Sequence, residues 1–170
     1  MPETGGRDGS GAASADASAG GGATVHASCV LVGEAGILIE GASGAGKSTL
    51  AREVVAAARL AGRFARLVSD DRTGLEVRNG RVLARTVAAI AGRIEIRGLG
   101  IVGTAHEERA VVRLVLSLSS DAPPRWPLPE ESLAPLCGIM VPRLFLRSGA
   151  ASAPLVLAWL DAQARTLVTL

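Results

Sequence analysis

The segment Gly41-Ala42-Ser43-Gly44-Ala45-Gly46-Lys47-Ser48 constrains this chain more than any other part of it. It matches the pattern G-x-x-x-x-G-K-[S/T], whose glycines let successive backbone N–H groups converge on phosphate oxygens while the lysine supplies a compact positive charge. Such a loop works only between an apolar strand and the N-terminus of a helix, whose dipole adds to the attraction for anions. The neighbouring sequence offers both. Of the 18 basic residues 17 are arginine, and the single lysine is Lys47. A chain that otherwise uses the planar guanidinium throughout has kept an ammonium at the one position where a narrow point charge is needed.

The elements around the loop follow from periodicity and turn chemistry. Val25 to Val32 reads as a strand, and Gly33-Glu34-Ala35-Gly36 turns it into a second apolar run, Ile37 to Glu40. After the loop, Ser48 to Ala61 carries Leu50, Val54, Ala57, Ala58 and Ala61 at helical spacing, with Gly62 placed to end the helix. Phe64 to Ser69 is a further strand that ends in Asp70-Asp71. Asn79-Gly80 between alternating runs marks a hairpin over Leu75 to Leu83. Strands are predicted at Arg93 to Arg97, Val111 to Leu118 and Arg143 to Leu146, a loop at the proline-rich Ser119 to Glu131, and a last helix from Ser152 to Arg165 with Leu155, Ala158, Trp159 and Ala162 on one face. The fold class expected is α/β, a P-loop kinase-like domain with a mostly β core, hairpins and flanking helices. Residues 1–24, mostly Gly, Ala and Ser, cannot bury enough apolar surface to become ordered and read as a tail, leaving 25–170 as the one folded domain.

Composition narrows the function classes. A chain of 170 residues buries about 70% of its unfolded surface, enough to need no disulfide or structural metal. Cys29 and Cys137 lie far apart with no His/Cys cluster, which fits reduced thiols and a cytoplasmic protein. No apolar run approaches a membrane span, no signal peptide pattern opens the chain, and a net charge of +2 gives no case for nucleic acid.

A phosphate loop needs partners. Asp70 and Asp71, at a strand end, are candidates to hold a metal or accept a proton; adjacent side chains point to opposite sides, so the two carboxylates could divide these tasks. His26, 21 residues before Lys47, is a candidate catalytic residue on the strand preceding the loop. Glu95 and Arg97 alternate on one strand face that runs into a glycine-rich bend able to approach a ligand closely.

His26, the loop Gly41 to Ser48, Ser69-Asp70-Asp71-Arg72 and Ile94-Glu95-Ile96-Arg97-Gly98-Leu99-Gly100-Ile101, in that order, resemble the bacterial HPr kinase/phosphorylase family over about residues 25 to 160. The resemblance covers the catalytic domain, as in the family's short form. It implies an enzyme that phosphorylates a serine of the phosphocarrier HPr with ATP or pyrophosphate and removes that phosphate with inorganic phosphate. By position, Gly41, Ala42, Ser43, Gly44, Ala45, Gly46, Lys47, Ser48 and Thr49 would bind the nucleotide, with Lys47 on the transferring phosphate. Ser48 and Glu95 would hold Mg²⁺. His26 would stand near the phosphates, Asp71 would accept and return the serine proton, Asp70 would assist, and Arg97 would position the reacting groups. Arg125 is assigned the family's further catalytic arginine, and Arg147-Ser148-Gly149 the flexible segment tied to dephosphorylation. Thr104 to Arg109 departs from the family's Phe-Gly-containing loop. The family also implies a hexamer. Two other readings of the loop are a small-molecule P-loop kinase, which needs an arginine-rich lid, and a nucleotide-binding regulatory module without catalysis.

Overall fold

The computed structural model describes residues 16–18 and 22–168. Most of the tail predicted over 1–24 lies outside the described residues. Within it, β1 (Asp16–Ser18) and β2 (Gly22–Val25) form an antiparallel pair, and β2 also pairs with β6 (Thr73–Arg78). This pairing is a matter of backbone register, which hydropathy does not show.

The strand predicted over Val25 to Val32 is broken. A bend at His26 separates β2 from β3 (Ser28–Val32), so His26 stands at a corner and not on a strand. Gly33, in the left-handed region at φ +57°, joins β3 to β4 (Ala35–Gly41), and the phosphate loop leads into α1 (Lys47–Leu60). The end of α1 is a Schellman motif: the Arg63 N–H donates to the Ala58 carbonyl at 2.9 Å, the Gly62 N–H to the Arg59 carbonyl at 2.9 Å, and Gly62 lies at φ +72°. The predicted stop is therefore realised.

The chain continues through β5 (Ala65–Ser69), β6, β7 (Arg81–Arg85), the hairpin of β8 (Arg93–Ile96) and β9 (Gly100–Gly103), and β10 (Arg109–Ser119). It ends in β11 (Leu133–Leu136), β12 (Ile139–Arg147) and α2 (Ala153–Val168). Asn79 at φ 51° and Gly80 at φ 70° make the predicted turn between β6 and β7. Apart from β8 and β9, which pair only with each other, the strands form one curled sheet in which β4 lies between antiparallel β3 and parallel β10. β10 is the spine, pairing antiparallel with β7 near its start and parallel with β12 near its end.

A register shift between Val112 and Leu114 turns β10 over. Ala110 and Val112 face one core with Leu38, Leu75 and Val82, whereas Leu114, Leu116 and Leu118 face the other, beneath α1 and α2. Burying each large side chain contributes about 1.5–3 kcal/mol. The face predicted for α2 holds at Trp159, which packs on the core, and is corrected elsewhere: Ala153 and Val156 are buried, while Leu155 is 53% exposed and Ala158 is also exposed. In so alanine- and leucine-rich a helix several faces meet the apolar criterion, and the neighbouring surface decides between them.

Candidate active site

The site forms where the C-terminal ends of β4 and β5 meet the start of α1 and the hairpin of β8 and β9. Gly41 packs so tightly on β10 that a Cβ there would lie 2.9 Å from both the Cβ and the carbonyl oxygen of Leu118. Gly44 at φ +78° and Gly46 at φ +95° take the left-handed conformation, with nothing within 4 Å where a side chain would project. No side chain caps α1 and no acid occupies its first turn, so its leading N–H groups keep their capacity for an anion.

Lys47 is almost wholly buried. Its Nζ donates to the Gly41 carbonyl at 2.9 Å and to the Ala42 carbonyl at 3.0 Å, and stands 3.0 Å from His26 Nε2. An ammonium only donates, so Nε2 is the acceptor and the imidazole proton sits on Nδ1. That nitrogen faces Asp71 Oδ1 at 3.2 Å. Lys47, His26 and Asp71 thus form one continuous polar chain. Burial pushes the Lys47 ammonium below the ordinary lysine range, and the charges of Asp71 and then Asp70 pull it back up.

The two aspartates sit in different surroundings. Asp70 is 4% exposed, accepts the Ser28 hydroxyl at 2.6 Å on one oxygen and takes the Glu95 N–H at 3.2 Å on the other. It is a buried brace that ties β5 to β3 and to the β8 hairpin. Asp71 is turned outward at φ 64°, a left-handed conformation that aspartate tolerates better than most residues, and its side chain is 68% exposed. Adjacent positions do point apart, but one direction leads into protein.

A cleft of about 350 Å³ collects Ser43, Gly44, Gly46, Lys47, Ser48 and Thr49 on one wall and His26, Asp71, Glu95 and Arg97 on the other. Gly41 and Ala42 contribute the carbonyls that hold Lys47, and Ala45 faces a neighbouring cavity of about 380 Å³ with Arg147, Ser148 and Gly149. Arg125 is an exposed residue of the segment between β10 and β11 and lines neither cavity. A larger cavity of about 700 Å³, floored by Val82, Val111 and Val141, contains none of the loop residues. The site depends on Ser28, which sequence reasoning missed: a lone serine in an apolar strand signals nothing until Asp70 is placed beside it. The open space above Gly44 and Gly46, with the hydroxyl of Ser48 and the carboxylate of Glu95 beside it, fits a nucleotide's phosphates and a hard divalent cation.

Comparison with known proteins agrees with this geometry. The family described as HPr serine kinase C-terminal domain matches residues 20–111, more than half of the chain. The HPr kinase/phosphorylase of Clostridium beijerinckii is 38% identical over 78 residues, 46% of this chain and 24% of that protein. The HPr kinase/phosphorylase of Clostridium tetani is 37% identical over the same length, again 24% of that protein. The match thus spans about a quarter of these curated relatives. Among solved structures, the HPr(Ser) kinase/phosphatase from Coxiella burnetii superposes with a TM-score of 0.64 at 26% identity, covering 86% of this chain and 98% of that one.

Proposed function

Because the chain belongs to the HPr serine kinase C-terminal domain family, we propose that it transfers the γ-phosphoryl group of ATP to a serine of an HPr-type phosphocarrier. The observation that carries this reading is the chain Lys47–His26–Asp71 opening into the cleft that also holds the phosphate loop, Glu95 and Arg97.

In this reading the backbone N–H groups of the loop and of the first turn of α1 grip the phosphates, and Lys47 neutralises the transferring group. Ser48 and Glu95 would hold Mg²⁺, which when bound offsets negative charge on the phosphate oxygens. Asp71 takes the proton of the acceptor serine as its Oγ bonds to phosphorus and the bond to the leaving ADP breaks. His26 keeps Asp71 aimed, because its Nδ1 faces the carboxylate at 3.2 Å while Lys47 donates to its Nε2. Arg97 orients phosphate oxygens from the opposite wall. In the phosphorolytic direction an oxygen of inorganic phosphate bonds to the phosphorus of the phosphoserine as the P–Oγ bond breaks, pyrophosphate is released as the product, and the protonated Asp71 carboxyl gives its proton to the serine Oγ. Arg147, beside the loop in the adjoining cavity, would serve this direction. Pyrophosphate as an alternative donor, a homo-oligomer, hexameric by resemblance, and action in the cytoplasm belong to the same proposal. The described residues contain no helix long and apolar enough to cross a membrane.

The deciding experiment incubates the protein with ATP, Mg²⁺ and either HPr or HPr whose acceptor serine is replaced by alanine. Phosphate should appear on the first and not on the second. Equal labelling of both, or phosphate on neither, would overturn the reading.

A further inference from the structure

We propose that the outward face of β6, β7 and β10 carries a second anion site, centred on Arg85 and Arg109 and suited to a ligand with clustered oxygen-borne charges, a phosphate ester or a polycarboxylate. The register sets Arg85 directly opposite Arg109 across β7 and β10, and opposite Gly74 across β6 and β7. Like charges facing each other across antiparallel strands repel. An anion between them converts the repulsion into charge-assisted hydrogen bonds.

The seat of Arg85 is built. A Cβ on Gly74 would fall 2.8 Å from Arg85 Cγ and 2.9 Å from its Nε, so the arginine lies across the space that the glycine leaves. Glycine inside a strand weakens the strand, and here its absence of a side chain is what lets the guanidinium lie down. A polar cavity of about 620 Å³ opens over this place, with Arg78, Arg85, Arg109, Thr86 and His106 in its walls. Its two carboxylates have partners, Glu76 with Arg78 at 3.5 Å and Glu108 with Arg109 at 3.9 Å, and among the described residues Arg85 forms no ion pair.

A second feature is independent of charge. The Thr86 hydroxyl is buried in the wall of this cavity and has no hydrogen-bond partner. A buried hydroxyl in that state is costly, and a small rotation of the side chain toward the cavity would let an anion accept its proton. The cavity shares no residue with the phosphate-loop cleft. It lies at the beginning of β10, whereas Leu118, near the end of that strand, packs on Gly41.

The test uses the full chain carrying Lys47→Ala, which weakens the phosphate loop's own contribution, and titrates it calorimetrically with pyrophosphate and, separately, with citrate. At least one of them should bind, and which one does names the ligand class. Adding Arg85→Gln and Arg109→Gln should weaken that binding by about tenfold or more while the thermal midpoint without ligand holds or rises, since a repulsion has been removed. Thr86→Val, close to isosteric, should also weaken binding without lowering the midpoint. Absence of binding of either anion to the Lys47→Ala protein, or binding indifferent to both the arginine and the threonine changes, would overturn the site.

Discussion

Lys47 is held by two carbonyls of its own loop and by a histidine, an arrangement that lodges a buried cation without any phosphate. Burial lowers its pKa, and phosphate oxygens would raise it again, so nucleotide binding in the window below the ordinary lysine value should take up protons and strengthen as pH falls through that window. Calorimetry at alkaline pH just below the ordinary lysine value, in two buffers of different ionisation enthalpy, reads the uptake directly; release of protons would contradict the assigned role. Asp70 makes a different prediction from its neighbour. Asp70→Ala leaves the Ser28 hydroxyl and the Glu95 N–H unpaired, each costing about 1–3 kcal/mol where buried, so chemical denaturation should show a clear loss of stability. An unchanged denaturation midpoint would remove Asp70 as a brace. From the sequence the two carboxylates were indistinguishable, because what separates them, Ser28 and the Glu95 backbone, arrives from distant parts of the chain.

At the scale of elements, the phosphate loop is fixed by contact with β10 as much as by its own glycines. Gly41→Ala would drive a Cβ into Leu118 in a conformation that side chains rarely adopt, costing about 1–3 kcal/mol of strain and moving the loop. The expected outcome is a lower thermal midpoint together with loss of nucleotide affinity; unaltered affinity would show that the loop does not depend on this packing. Elements whose signals are local were legible beforehand: the loop, the Gly62 stop of α1 and the Asn79-Gly80 hairpin. What stayed hidden depends on pairing. β2 and β9 are short and glycine-containing and owe their placement to partner strands, and the bend at His26 interrupts what reads as one apolar run. That bend matters for chemistry, because it swings the imidazole off the sheet and into line between Lys47 and Asp71.

Over the whole molecule, residues from four separate stretches, His26, Lys47, Asp71 and the Glu95–Arg97 strand, converge on one cleft because the sheet sets β5 beside β3 next to β4 and the separate β8–β9 hairpin is tied to the end of β5 by the Glu95 N–H on Asp70. That these residues share a site was expected from the resemblance of their motifs to a known family; that Arg125 stays on the exposed segment beyond β10 was not legible, since proline-rich loops carry no register. A single carboxylate serving both directions is the distinctive claim, and Asp71→Asn tests it with little change of shape, since asparagine also tolerates the left-handed conformation at this position. The decisive measurement compares the variant with the parent enzyme in two assays, ATP with HPr and inorganic phosphate with serine-phosphorylated HPr, alongside nucleotide affinity. Both rates should fall together by the ~10²–10⁴-fold typical of general acid–base catalysis while affinity stays within a few-fold; a variant that keeps either activity would exclude Asp71 as the shared proton acceptor and donor.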